Sequence, residues 1–288
     1  VFDVHHESPD AILQQYKRPQ TSAPFIKTGH GGTCMHLGPS WWVINAFVSK
    51  PLSIDPRSVP IHRVDHDLPA VPWAHLQPDA LRARFAQAPQ WTPEVVREPQ
   101  FSSRAPAEAA VLVPIVMRGT QASEPTVLLT QRTAHLSTHS GQIAFPGGKV
   151  DADDANAQAT ALREAHEEVG LHPRHVQVIG ELPLYVTGSS FWVTPVIGLV
   201  SPDFELQPNP DEVDDVFEVP LAFLMNPAHH RQHSMEWQGT QRQWFSMPYL
   251  ENRMTANGQQ ELVERYIWGA TAAMLRNLYR FLMVHPAG

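Results

Sequence analysis

From Ala109 to Met117 almost every residue is apolar, and the run stops at a polar turn around Gly119. An apolar run of this length bounded by turn residues predicts a strand with both faces buried. Thr126–Arg132 repeats the pattern across the turn, as do Val176–Leu184, Val193–Val200 and the shorter Val216–Val219. Met235–Trp237 and Trp244–Tyr249 predict a hairpin over Gln238-Gly239-Thr240-Gln241. The period changes in two places. Ala161, Leu162, Ala165 and Val169 lie on one helical arc, and Met274, Leu275, Leu278 and Leu282 recur at helical spacing after Gly269. Strands flanked by helices predict an α/β class, and no internal repeat interrupts it.

The first part of the chain reads differently. Residues 1–50 sustain neither a period of 2 nor one of 3.6, and predict no independent fold. Gly29, Gly31, Gly32 and Gly38 cluster there, but no Gly-Lys-Ser/Thr follows to make a phosphate loop. Residues 51–104 form a proline-rich arm, with nine prolines between 51 and 99. Asp79–Phe85, behind Pro78, predicts a short helix within it. The arm is expected to pack against the domain that follows, residues 105–288, or against a second subunit in a homodimer.

Composition narrows the class without naming an activity. Hydrophobic residues make up 42% of the 288, enough for an ordinary core. A formal charge of −8 argues against a nucleic-acid or anionic-membrane binder. No apolar run reaches the length of a membrane span. Cys34 is the single cysteine, so no intrachain disulfide forms, and a cytoplasmic setting is expected. His229, His230 and His233 cluster without a carboxylate or Cys at ligand spacing, and predict a solvated loop. Tyr266 and Trp268 read as packing residues.

The chemistry concentrates between Gly147 and Leu171. At about 100° per residue, Glu164, Glu167 and Glu168 share a helical arc of about 100°. Like charges at these spacings disfavour a helix by about 0.2–0.5 kcal/mol per pair. Such a face stays in water or meets a cation, and clustered carboxylates suit Mg²⁺ or Mn²⁺. The Phe145-Pro146-Gly147-Gly148 turn allows close backbone approach, Asp151, Asp153 and Asp154 follow, and Arg163 sits inside the cluster. The helix is not that of a zinc protease, because Gly170 stands where the second His belongs.

In order these residues are Gly148, five residues, Asp154, eight residues, then Arg163-Glu164-Ala165-His166-Glu167-Glu168-Val169-Gly170-Leu171. The run resembles the Nudix hydrolase signature, departing from it by Asp154 for a Glu and by a loop one residue longer. Upstream, Leu128-Leu129-Thr130, Arg132, Gly141 and Phe145-Pro146-Gly147-Gly148 resemble the motif of the coenzyme A pyrophosphatases. Ser137 and Thr138 replace a basic residue of that motif, leaving His135 or His139 as substitutes. Tyr266–Ala272 resembles the same group's entry to its last helix.

The resemblance implies an α/β/α sandwich with a mixed β-sheet behind the arm. It implies Mg²⁺- or Mn²⁺-dependent hydrolysis of coenzyme A or acyl-CoA to adenosine 3′,5′-bisphosphate and (acyl-)4′-phosphopantetheine. Glu164, Glu167, Glu168 and the Gly148 carbonyl would hold the metal, with Glu164 sharing the general-base role. Arg163 would orient the loop through Asp154, and Glu212 would be a further acid on a later loop. Arg132, Lys149 and Gly147 would bind substrate. Two alternatives stay open: the same chemistry on ADP-ribose or a dinucleotide, and a ligand sensor without turnover.

Overall fold

The computed structural model describes residues 55–133, 141–237, 239–255 and 257–284, apart from Phe101. All belong to one compact unit, Phe47–Gly288. Residues 1–50, with Cys34, and the 135–139 positions lie outside the described residues.

The molecule is built on an eight-stranded mixed sheet. Its centre is β2 (Ala107–Arg118); β1 (Ile61–Val64) belongs to a second sheet. Odd-numbered Val113, Ile115 and Met117 enter one core, even-numbered Ala110, Leu112 and Val116 the other. That two-sided burial explains the unbroken apolar run. β3 (Glu124–Arg132) does the same through Val127 and Leu129 on one face and Leu128 on the other.

β2 pairs with β3 over Ile115–Arg118, and with β5 (Gly147–Lys149) over Ala109–Val111. The two neighbours therefore part midway, and β4 (Ile143–Ala144) pairs with β3 in the gap. On the other edge, β8 (Phe191–Val200) runs parallel to β2 through ten residue pairs. β6 (Val176–Glu181) and β7 (Tyr185–Val186) border β8, and β9 (Val213–Pro220) borders β3. The expected Val176–Leu184 strand ends early, at Glu181, where Leu182 turns into the core, and β7 begins only beyond it.

α1 (Pro78–Ala86) lies in the early segment, as expected. α2 (Ala157–Val169) covers one face of the sheet, burying Ala161, Ala165 and Val169. Asn156 caps it, accepting from the Ala159 N–H at 2.9 Å. The opposite face is covered by α4 (Gly269–Met283), which follows the single-turn α3 (Leu221–Leu224), together with Val71, Leu76 and Leu81. This is an α/β/α arrangement.

A four-stranded antiparallel sheet completes the unit, in the order β1, β10 (Arg231–Trp237), β11 (Thr240–Met254), β12 (Gln260–Trp268). The expected hairpin is its middle, but each strand is longer, and β1 and β12 were not anticipated. The three histidines do not form the expected solvated loop. His230 and His233 are 0% and 3% exposed, not solvated. Nε2 of His230 pairs with the Leu224 carbonyl at 2.7 Å; His233 bridges the Val59 carbonyl and Ser246 and stacks on Trp244. Burial holds the His230 pKa down to about 4. Tyr266 is packed as expected, under Arg57.

Candidate active site

The site forms where β2 and β3 part. β5 brings Gly147 and Gly148 to the edge of α2, and two consequences follow. The Gly147 N–H donates to Glu168 Oε2 at 3.1 Å. A Cβ on Gly148 would overlap the Glu164 carboxylate, so only glycine lets that carboxylate lie against the strand.

Arg163 organises the preceding loop. Its guanidinium grips Asp154 in a fork, Nε to Oδ1 at 3.0 Å and Nη2 to Oδ2 at 2.9 Å. Asp154 Oδ2 also accepts from the Asp151 N–H and from Thr160 Oγ1, both at 2.9 Å. The Arg163 fork above all, with these bonds, holds the Asp154 carboxyl well below the usual carboxylate range. The shorter Asp side chain thus reaches the arginine from the longer loop. Arg163 Nη2 donates to the Lys149 carbonyl at 3.1 Å, while Nη1 lies 3.0 Å from both Glu164 Oε1 and Glu167 Oε2.

Glu168 is 4% exposed. Burial pushes its pKa up to about 7, with Glu212 and Glu164 adding repulsion against the Gly147 N–H and Arg132. Burial likewise raises Glu164, with Glu167 and Glu212 contributing. Arg132 Nη1 stands 3.6 Å from Glu168 Oε1. Lys149 projects outward, its ammonium 5.8 Å from the Phe191 ring centre.

Glu212 arrives from the loop before β9, and the reason is Gly170. This residue ends α2 in the left-handed conformation, φ 74°, its N–H returning to the His166 carbonyl at 3.0 Å. A Cβ there would meet the Gln207 nitrogen at 2.7 Å. Without one, the loop docks: Gln207 N–H donates to the Val169 carbonyl and Asn209 N–H to the Glu168 carbonyl, at 2.9 and 2.8 Å. Asn209 then turns the chain, its carbonyl accepting from the Glu212 and Val213 N–H groups.

The structure therefore brings together Gly147, Gly148, Arg132, Arg163, Glu164, Glu168 and Glu212. Glu167 is set apart: it is exposed, bound to Arg163, and borders an open groove of about 760 Å³ with His166 and His172 on the outer side of α2. Among the described residues no three acidic, His or Cys side chains already stand as a coordination shell. The donor set nonetheless fits a hard divalent ion. Glu164 and Glu168 are drawn from water and repel each other and Glu212, the charge such an ion would offset. Sequence reading missed Asn209, whose turn delivers Glu212 and carries no motif.

The model of the Nudix domain matches residues 106–263, more than half of the chain. This chain belongs to the Nudix family. It is 41% identical over 180 residues to the uncharacterized Nudix hydrolase NudL of Escherichia coli (strain K12), spanning 62% of this chain and 84% of that protein. Identity with the NudL of Shigella flexneri serotype 5b is 40% over 195 residues, 67% and 90% of the two chains. A C. elegans Ap4A hydrolase crystallised as a binary complex is 21% identical, with a TM-score of 0.33 over 40% of this chain and 80% of its own. The Nudix fold is accordingly the frame for α2 and its carboxylates. Among the described residues of this Nudix protein no helix is long and apolar enough to cross a membrane.

Proposed function

We propose that the chain is a cytoplasmic, Mg²⁺- or Mn²⁺-dependent hydrolase of the pyrophosphate bond in coenzyme A or acyl-CoA. The observation behind the chemistry is the convergence of Glu164, Glu168 and Glu212, two of them desolvated, beside the Arg132 cation. Glu164, Glu167, Glu168 and the Gly148 carbonyl would hold the ion, with Glu167 released from Arg163 to join. A bound divalent ion supplies charge neutralisation at the phosphoryl oxygens and a lowered pKa for water.

The remaining work falls to this chain's own side chains. Arg132 and Lys149 draw the diphosphate to a protein whose overall charge repels it. Arg163, held by Asp154, keeps the carboxylate loop in one geometry. Glu164, with Glu212 nearby, accepts a proton from the attacking water. The coenzyme A assignment rests on the Leu128–Gly148 run, outside the catalytic helix.

Incubation with coenzyme A, ADP-ribose and a dinucleotide, with and without Mg²⁺ or Mn²⁺, tests this. Metal-dependent release of adenosine 3′,5′-bisphosphate, with kcat/KM highest for coenzyme A, supports it. Preference for another compound keeps the chemistry and discards the substrate. No turnover on any would favour a ligand sensor.

A further inference from the structure

Between Gln131 and Arg132 the ladder of β3 and β9 loses register: Gln131 faces Asp215, but Arg132 faces Val213. Asp214 is the extra residue, and bulges of this kind re-aim side chains beside active sites. Here the bulge separates Arg132 on one strand from Glu212, one residue before the start of the other. The Thr133 N–H, donating to the Glu212 carbonyl at 3.1 Å, closes it on the far side.

The near side is held from the second sheet. Arg265, on β12, is 3% exposed, and its guanidinium reaches three strands. Nη1 donates to Gln131 Oε1 at 3.0 Å, Nη2 to Asp215 Oδ2 at 2.6 Å, and Nε to Glu251 Oε2 at 2.7 Å. Its Cζ lies 4.1 Å from the Phe217 ring centre. Arg253 adds a second bond to Asp215, so two arginines balance two carboxylates. The two residues Arg265 ties to the main sheet, Gln131 and Asp215, are the last regular pair before the bulge.

We propose that Arg265 is a positioning residue of the active site: by pinning the Gln131–Asp215 pair it fixes the bulge that sets Arg132 and Glu212 against Glu168. Asp215 tethers Arg265 to the β9 side of the bulge, and the bond to uncharged Gln131, which charge balance does not require, adds the β3 side. Lysine would keep the charge balance but lacks the fork that spans three acceptors.

The inference rests on the proposed metal-dependent reading, so its test uses Mn²⁺ alone, without substrate. Mn²⁺ affinity of the full chain is titrated in wild type, Arg265→Lys, Gln131→Met, Glu212→Gln and each pair with Glu212→Gln. Gln131→Met cuts only the link to β3 and leaves the ion pairs, so it guards against an Arg265→Lys variant that fails to fold. Expected is about tenfold weaker Mn²⁺ binding in each single variant at positions 265 and 131, because Glu212, not itself a ligand, would no longer add its negative charge beside Glu164 and Glu168. In the Glu212→Gln background the same changes should cost less than about twofold, because coupled residues are not additive. Equal losses in both backgrounds, or unchanged affinity in the singles, overturn the proposal. A wild type that binds Mn²⁺ but hydrolyses nothing rejects the enzyme reading while this cycle stays readable. A wild type that does not bind Mn²⁺ removes both.

Discussion

At the scale of the residue, Glu168 has the most to report. Its folded pKa, about 7, lies above the ordinary value of 4.5 because burial disfavours the charge. The folded protein therefore holds this proton more tightly than the unfolded chain. The stability it confers is complete below pH 4.5 and is lost as pH rises through 7. Glu168→Gln, melted in chelator, should match wild type at pH 4 and exceed it at pH 8, by at most about 3 kcal/mol. His230 runs the other way, losing stability as pH falls below 6.5 towards 4, but it is common to both proteins and cancels. The same variant should lose at least about a hundredfold in metal-dependent kcat. Higher stability with lost turnover is the signature of a carboxylate kept for function; near-normal turnover would remove it from the site.

At the scale of the element, two glycines act through what they admit. Gly148→Ala places a methyl in the Glu164 carboxylate, so turnover should fall at least about tenfold while the melting temperature changes little. Gly170→Ala both strains a left-handed cap and pushes the Gln207 loop away, so it should lower stability by about 1 kcal/mol or more and turnover together. Asn156→Ala, which removes only the α2 cap, should cost about 1 kcal/mol and leave KM unchanged. The fold was legible where burial is two-sided: the β2, β3 and β8 runs are predominantly apolar. β12 was not, because Gln260–Glu264 is exposed apart from a half-buried Val263, so it carries neither an apolar run nor clean alternation. Arg163, Glu164, Glu167 and Glu168 were legible because their spacing repeats the Nudix signature. Glu212 was legible only by its order along the chain, and Arg265 not at all, since a lone arginine has no pattern until three strands meet around it. The histidines misled for a related reason: a polar sequence neighbourhood does not reveal that Leu224 and Val59 offer buried carbonyls.

At the scale of the whole molecule, Arg276 decides what can be removed. It is 0% exposed on α4 and is neutralised by Asp65 and Glu94, with Nη2 to Asp65 Oδ2 at 2.6 Å and Nε to Glu94 Oε2 at 2.8 Å. Deletion of residues 1–50 should leave turnover largely intact, whereas deletion through Gln100 should yield no cooperative thermal transition. That shorter chain loses Val71, Leu76 and Leu81 from the core and leaves a buried guanidinium without its two carboxylates, a defect of about 3–5 kcal/mol by itself. Circular dichroism of the two truncations separates these outcomes. The position of Arg276 also governs the order in which the molecule can be made. Asp65 and Glu94 emerge from the ribosome long before their partner, and residue 107 of β2 waits for residue 191 of β8. A core closed by both its earliest and its latest described segments cannot be complete until α4 has left the ribosome. Its final folding step follows release of α4, and contacts of such long range make that step slow.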